Sequence, residues 1–256
     1  YPANQETSTI FNSLIWIGGV SDSGNLHFAG ERYRFEGTDF QPGPVSDVYD
    51  STYARKYWRL WKLNREDIEY HRYNWWKSGY QPVDAIVTWP GNGITEAGQA
   101  DRLAPFKDIG QDGRYDPMEG DYPLIRGDQA IYFIKNDDKI HTESDGTRLR
   151  LDVHGMVYGF NAPGDSALMH TVFVHYDLIN RSENIYYETY AGIWTEIDIG
   201  GMWDDYIGSD VGRNTYFGYN GDDFEEDDTE PPEEITKGYG NNPPAQSVPI
   251  LAGPLI

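Results

Sequence analysis

Five long runs rich in β-branched and aromatic residues dominate the second half of the chain, and short turn sequences separate them. The runs are QAIYFIK, LRLDVHGMVYGFNA, ALMHTVFVHYDLIN, NIYYETYAGIWTEIDI and NTYFGYN, with PGDS and RSE among the turns. Such residues suit pleated strands, and closely spaced turns join neighbouring strands in opposite directions. The pattern predicts a mostly β protein, built as an antiparallel β-sandwich or meander.

The first half of the chain has a different pattern. Residues 14–20 and 25–35 are two strand-like runs around a Ser-Asp-Ser-Gly turn, which predicts a hairpin. KYWRLWKL predicts a strand, and Asn64 is positioned to begin one short helix over NREDIEYHRYNWW. Residues 83–127 are rich in Pro, Gly and Asp, so they predict a long ordered loop that needs something to hold it.

These differences suggest two regions. Residues 1–128 would contain the hairpin, the helix and an acidic loop, and residues 129–256 the antiparallel strands, although one continuous domain is the alternative. The acidic run GDDFEEDDTEPPEE predicts a solvated loop. The proline-broken end, residues 243–256, predicts an extended arm, and we expect the chain to be part of a longer polypeptide.

Charge and composition restrict the partners. The chain carries 42 acidic and 20 basic residues, a formal net charge of -22, which repels nucleic acid and favours cations. The sequence contains no stretch of about 18 apolar residues, so it predicts no membrane span. The absence of cysteine excludes disulfides and thiolate chemistry.

The stretch DIGQDGRYDPME has the spacing of a calcium-binding loop. Calcium loops place oxygen ligands at positions 1, 3, 5, 7, 9 and 12, with Gly at position 6. Gly113 stands at position 6, but Gly110 stands at position 3 and Pro117 opposes a following helix. We therefore predict a Ca²⁺ clip without flanking helices, and an Asp-rich turn is the alternative. Its candidate ligands are Asp108, Asp112, Arg114 through its carbonyl, Asp116 and Glu119, supplemented by Asp121 or Asp128.

A second acidic group follows the fourth strand-like run. Asp198, Asp204, Asp205 and Asp210 lie in a glycine-rich segment. They predict another hard-cation site, with a solvated turn as an equal alternative. A weaker alternative is catalytic: a glycosidase pairs an acid with a nucleophile or base, and Asp204 or Asp205 could pair with Glu196.

Other catalytic patterns are missing from the sequence. Neighbouring strands could bring His154 to His170 or His175, but hydrogen-bonded sheet histidines are the preferred interpretation. No G-x-S-x-G serine motif occurs. Five tryptophans could form a sugar-binding platform, but a role in the core explains them with fewer assumptions: Trp58, Trp61, Trp75, Trp76 and Trp89.

Several motifs occur together in a characteristic order. These are LIWIGG, AGERYR-EGTDFQPGP, D-x-x-x-DGRYDP-x-x-GDYP-x-I-x-GDQA, NRSENIYYETYAGIWTEIDIGG-x-x-DDYIGSD, YNGD, and finally PPA with LAGPL. Together they cover nearly the whole chain. In this order the sequence resembles large secreted surface proteins of Bacteroidota that use the type IX secretion system. In that family the acidic loop reads D-x-N-x-DG, whereas residue 110 here is Gly.

The resemblance implies an extracellular or cell-surface β-rich protein without an established catalytic motif. In addition, Asp165-Ser166-Ala167 resembles the family's acceptor sequence for O-linked sugars, which implies that Ser166 carries a sugar. We therefore expect a calcium-stabilised structural or adhesive glycoprotein that belongs to a surface assembly or filament. Its partners would be other copies, surface proteins or glycans. A carbohydrate-binding or glycoside-hydrolase-like secreted protein is the alternative.

Overall fold

The computed structural model describes residues 6–33, 37–201, 203–230 and 234–253. These residues form a mostly β fold with antiparallel pairing, which confirms the predicted fold class. The strands are β1 (Asn12–Ser21), β2 (Leu26–Ala29), β3 (Gln41–Pro42), β4 (Trp61–Asn64), β5 (Phe106–Lys107), β6 (Tyr122–Pro123), β7 (Gln129–Asn136), β8 (Leu151–Gly159), β9 (Phe173–Asn180), β10 (Tyr186–Glu196), β11 (Asp205–Asp210), β12 (Thr215–Asn220), β13 (Phe224–Glu225), β14 (Asp228–Glu230), β15 (Glu234–Thr236), β16 (Gly240–Asn241) and β17 (Gln246–Pro249).

The helices are short. They are α1 (Ser51–Tyr57), α2 (Arg65–Arg72), α3 (Asp84–Val87) and α4 (Ser166–Met169), with 3₁₀ turns at Thr95–Ala97, Pro117–Glu119 and Val211–Arg213. Within the described part of the chain, no helix has the length and apolar character needed to cross a membrane.

The predicted helix after Asn64 is present, but the prediction of a single helix was wrong. α2 begins directly after Asn64, whose backbone N–H donates to Asp67 Oδ2 at 3.4 Å. α1 replaces the start of the predicted strand because Asp50 Oδ1 accepts hydrogen bonds from the backbone N–H groups of Thr52 and Tyr53, both at 2.9 Å. Asp165 caps α4 in the same way, where the sequence predicted a continuous strand.

Contact density divides the chain into two compact units. The first comprises the described residues of Tyr1–Ile17, Gly30–Phe35 and Tyr190–Ile256, and the second those of Gly18–Ala29 and Glu36–Thr189. This grouping differs from the regions 1–128 and 129–256 drawn from the sequence. The reason is long-range pairing, because β4 from the first half of the chain pairs with β7 from the second.

The second unit is built on a five-stranded sheet. Its order is β3-β7-β8-β9, and β4 also pairs with β7. Buried aromatic and aliphatic side chains pack against this sheet, among them Trp61, Trp89 and Tyr132. Trp61 and Trp89 are thus core residues, as predicted, whereas Trp58 and Trp76 are 74% and 58% exposed.

The predicted long loop of residues 83–127 is held partly by this core. Ile86, Phe106 and Tyr115 are buried in it, and the Tyr115 hydroxyl donates to the carbonyl of Ile86 at 2.6 Å. Apolar packing therefore orders much of the segment that the sequence predicted would need something to hold it.

The first unit contains the sheet β11-β12-β17 and the strand pairs β13-β16 and β14-β15. The predicted C-terminal arm supplies β17, which pairs with β12 of the same chain; residues 254–256 lie outside the described residues. The acidic run 221–234 contains short strands where a loop was predicted; residues 231–233 of the run are not described. Glu225 in this run is buried, and its carboxylate accepts a hydrogen bond from the Gly201 backbone N–H. The hairpin predicted at 14–35 forms β1 and β2, and β2 belongs to the second unit; residues 34 and 35 are not described.

Candidate metal centre

Two carboxylates hold the loop that follows β10. Asp205 Oδ2 accepts a hydrogen bond from the Ile199 backbone N–H at 2.8 Å. Glu225 Oε1 accepts one from the Gly201 backbone N–H at 3.0 Å. Each carboxylate therefore uses one oxygen to fix the loop, and its second oxygen takes no part in these hydrogen bonds.

The remaining oxygens are buried. Among the described residues, Asp205 Oδ1, Glu225 Oε2 and Asn220 Oδ1 have no hydrogen-bond partner. Asn220 lies opposite Asp205 across β11 and β12, so both side chains emerge on the same face of the sheet. Its amide nitrogen already donates to the carbonyls of Asp222 and Phe224, at 3.4 and 3.2 Å. A buried acceptor without a donor costs about 1–3 kcal/mol, more if it is charged.

The electrostatics of this group disfavour ionisation. Burial raises the pKa of Glu225 to about 7, and the nearby Asp204 and Asp205 contribute to the rise. Burial raises the pKa of Asp198 to about 6, with further contributions from Glu196 and Asp205. The pKa of Asp205 is also raised, chiefly by burial. A bound cation would reverse these shifts, because it favours the charged form of each carboxylate.

We call the group of Asp198, Asp204, Asp205, Asn220 and Glu225 the Glu225 cluster. Three of the four aspartates that the sequence grouped are in it. Asp210 is elsewhere: its carboxylate accepts a hydrogen bond from the Arg213 backbone N–H at 3.1 Å and forms an ion pair with the Arg213 guanidinium. Sequence reasoning missed Glu225, which it placed in a solvated run, and Asn220. The oxygen-rich stretch NGDDFE, which begins at the last residue of a strand-like run, was the signal that could have indicated both.

The cluster is not a closed cage of carboxylates. Across residues 6–33, 37–201, 203–230 and 234–253, no three or more His, Asp or Glu side chains are grouped so that they could hold a metal ion. The Glu225 cluster instead presents two carboxylate oxygens and one amide oxygen. Calcium takes six to eight oxygen ligands, and backbone carbonyls and water commonly complete the set.

The stretch DIGQDGRYDPME forms a tight turn fastened by Asp108. Asp108 Oδ1 accepts a hydrogen bond from the Gln111 N–H at 2.5 Å, and Oδ2 accepts one from the Gly113 N–H at 2.8 Å. Gly113 has a φ of +86°, a left-handed conformation that favours glycine at this calcium-loop position. Asp112 Oδ1 accepts from the Arg114 N–H at 2.9 Å.

The downstream carboxylates complete the turn. Asp121 is buried, and its two oxygens accept from the N–H groups of Ile109 and Asp116, at 2.7 and 2.9 Å. Asp116 Oδ1 accepts from the Met118 N–H at 2.8 Å. Glu119 folds back towards Gly110, since a Cβ on that glycine would lie 3.3 Å from Glu119 Oε2. These bonds are those of the Asp-rich turn, and the calcium clip remains a prediction.

Three other predicted residues have separate positions. Asp128 Oδ1 lies 3.5 Å from Arg65 Nε, and Asp128 Oδ2 accepts from the Asn161 N–H at 2.9 Å, so Asp128 fastens another part of the unit. Ser166 is exposed at the first position of α4. Glu196 hydrogen-bonds the Tyr33 hydroxyl, which raises the pKa of Tyr33 to about 12.

Comparison of this chain with protein-family models, with curated proteins and with solved structures yields no match.

Proposed function

We propose that this protein is an extracellular or cell-surface, calcium-stabilised β protein with a structural or adhesive role in a surface assembly or filament. The observation that carries the proposal is the set of buried oxygens without hydrogen-bond partners in the Glu225 cluster. Asp205, Asn220 and Glu225 each direct one oxygen away from the bonds that fix the local backbone. A cation supplies what these oxygens lack.

The donor set favours calcium over a transition metal. The side-chain donors of the cluster are carboxylate and amide oxygens, with no sulfur or imidazole nitrogen among them. Hard cations prefer such oxygens, and calcium tolerates the irregular geometry of strand ends and turns better than magnesium does. The strongly negative chain also raises the local concentration of cations.

Isothermal titration calorimetry of chelator-treated protein with CaCl₂ tests the proposal. We expect binding that Glu225→Gln weakens strongly, because the substitution removes one charged ligand. Glu226→Gln is the matched control, since Glu226 is the adjacent, exposed glutamate. A folded protein that shows no calcium binding, or equal binding by both variants, would refute the proposal.

The adhesive role is supported by the surface of the first unit. β11 lies at the end of the sheet order β11-β12-β17, and its Tyr206 and Ile207 are exposed. Trp203 and Leu251 are exposed as well. An edge strand with apolar side chains is suited to pair with another copy or with a surface protein. Size-exclusion chromatography with light scattering in calcium tests this, and a monomer at every concentration would contradict it.

The extracellular location is supported by the resemblance to secreted Bacteroidota proteins. Glycosylation at Ser166 belongs to the same proposal, because an acceptor must be accessible and Ser166 is exposed. The intact mass of the protein from its native source tests the modification. A mass above the sequence mass in the wild type, and equal to the sequence mass in Ser166→Ala, would support it.

A glycoside hydrolase is the second candidate function. It is favoured by one observation, the raised pKa values of Asp198 and Glu225, because a glycosidase needs a carboxylic acid that stays protonated near neutral pH. If the wild type hydrolyses chromogenic glycosides and Glu225→Gln does not, the hydrolase is favoured. If the wild type shows no hydrolysis and Glu225→Gln loses calcium binding, the calcium-stabilised structural protein is favoured.

A further inference from the structure

A cavity of about 290 Å³ opens in the second unit beside the five-stranded sheet. Its polar lining comes from Tyr132, His154, His175, Asp177 and Arg126. Its apolar lining includes Leu124, Ile125 and Met156. The volume lies just below the range of typical small-molecule pockets, about 300–1,000 Å³.

Strand register brings the polar lining together. His154 on β8 lies opposite Asp177 on β9, and Met156 lies opposite His175. Paired residues and residues two apart on a strand share one face of the sheet, so these four side chains border the same space. The sequence offered this proximity of His154 and His175 only as a less favoured alternative.

One ring nitrogen of His154 makes a hydrogen bond with another described residue and the other does not. The residue is 3% exposed, and its Nδ1 lies 2.8 Å from the Tyr132 hydroxyl oxygen. Its Nε2 is buried and has no hydrogen-bond partner in the described part of the chain. Burial lowers the pKa of His154 to about 4, so the ring is neutral at neutral pH.

The Tyr132–His154 hydrogen bond determines which ring nitrogen of His154 carries the proton and is left without a partner in the described structure. Within the described residues, the Tyr132 hydroxyl has no hydrogen-bond partner other than His154. Its proton is satisfied only if the hydroxyl donates to Nδ1, and a neutral ring then carries its single proton on Nε2. His154, which lines the cavity, therefore carries a buried N–H donor without a hydrogen-bond partner among the described residues.

The exposed end of the cavity contains both a donor and an acceptor. His175 Nε2 lies 3.2 Å from Asp177 Oδ1 and 3.5 Å from Arg126 Nη2. Asp177 has an exposed carboxylate, and Arg126 is exposed too. A ligand in the cavity thus meets the guanidinium and the carboxylate close together.

We propose that this cavity binds an uncharged, hydroxyl-bearing ring the size of a monosaccharide. Hydroxyl groups both donate and accept, so one ring can accept from His154 Nε2 and Arg126 and donate to Asp177. The apolar C–H face of such a ring fits against Leu124, Ile125 and Met156. The proposal concerns a site other than the Glu225 cluster and does not depend on calcium.

Charged ligands fit the cavity less well. A carboxylate would accept from Arg126 and His154 but would face the Asp177 carboxylate without a proton to donate. An ammonium ion would bind Asp177 but would offer nothing that accepts from His154 or Arg126. Each would leave a polar group of the cavity unpaired, which costs binding free energy.

Saturation-transfer NMR with the methyl glycosides of glucose, galactose, mannose and N-acetylglucosamine tests the proposal, with acetate and methylammonium as charged probes. We expect at least one glycoside to bind. Its affinity should fall about 10-fold or more in Asp177→Ala, which loses a charged hydrogen bond, and in Leu124→Trp, which fills the cavity. Both positions are exposed, so the variants should fold, and circular dichroism checks this.

His170→Gln is the matched control, because His170 is an exposed histidine that does not line the cavity. It should bind the glycoside as the wild type does. His154→Phe, where it folds, should abolish binding because the buried donor is gone. The proposal is overturned if no glycoside binds, if acetate or methylammonium binds instead, or if the two cavity variants bind the glycoside like the wild type.

Discussion

Glu225 binds the Gly201 amide through Oε1, at 3.0 Å, while Oε2 of the same carboxylate is buried without a hydrogen-bond partner among the described residues. One side chain thus fixes a loop and contributes to a local concentration of negative charge. We expect this arrangement to make the stability of the first unit depend on pH and, through the proposed calcium binding, on calcium concentration.

Stability without calcium should therefore fall as pH rises. The pKa of Glu225 is about 7 in the folded protein, above the ordinary glutamate value of 4.5. Between these values the unfolded chain ionises while the folded one holds its proton, so rising pH stabilises only the unfolded state. Below pH 4.5 no stability is lost through Glu225. Above pH 7 the loss of unfolding free energy is complete and amounts to about 1–3 kcal/mol.

Thermal melting in chelator from pH 4.5 to pH 8 measures this effect. Glu225→Gln should show a flatter profile than the wild type, because glutamine does not ionise. Calcium should raise the wild-type melting temperature most at the upper end of the pH range. A calcium effect that is as large in Glu225→Gln would contradict the assignment.

The turn at residues 108–119 provides a separate calcium prediction. Asp112 is exposed and its Oδ1 accepts only the Arg114 N–H within the described structure, so Asp112→Ala should leave the fold intact. If the turn is a calcium clip, calorimetry should show weaker or fewer calcium sites in this variant. Glu183→Gln, at an exposed acidic position elsewhere, should bind calcium normally. Identical titrations of the two variants would identify the stretch as a turn only.

His141 is expected to be a buried cation. Its Nδ1 lies 2.8 Å from the Phe28 carbonyl oxygen and its Nε2 lies 3.0 Å from the Asp137 carbonyl oxygen, so both nitrogens must donate. Burial disfavours the charge, but hydrogen bonds with Asp137 and the nearby Asp39 outweigh it and raise the pKa of His141. His141→Gln should cost about 3–5 kcal/mol, measured by urea unfolding.

The same histidine has a defined pH dependence. Its stabilising contribution is complete below the unfolded pKa near 6.5 and is lost as pH rises through the raised folded value. Wild type and His141→Gln should therefore differ most in mildly acidic buffer. His170→Gln should follow the wild type at each pH, and a constant difference between wild type and His141→Gln would argue against a charged ring.

Gly155 is expected to be essential for packing on β8. A Cβ there would lie 2.1 Å from the Phe133 ring, which covers the glycine from the neighbouring strand. Gly155→Ala should destabilise the protein by about 1–3 kcal/mol in urea unfolding. Gly159→Ala is the control, because a Cβ at Gly159 meets no atom within 4 Å. Equal stability of the two variants would contradict this account.

Local patterns predicted much of the architecture. The runs that became β7, β8, β9, β10 and β12 and the helix after Asn64 were identified because alternation, β-branching and capping act over a few residues. Three members of the Glu225 cluster were grouped for the same reason, since Asp198, Asp204 and Asp205 are close in sequence. The short helix α1 was missed because the capping role of Asp50 was not recognised.

The sequence by itself determined the β class, the turn chemistry and the large negative charge, all of which depend on residue type and short spacing. Only the tertiary structure decided that Asn220 faces Asp205, that Glu225 is buried, and that His154 shares a cavity with Asp177. The physical reason is register: a strand shifted by one residue turns each side chain to the opposite face, and that choice depends on packing along the whole sheet.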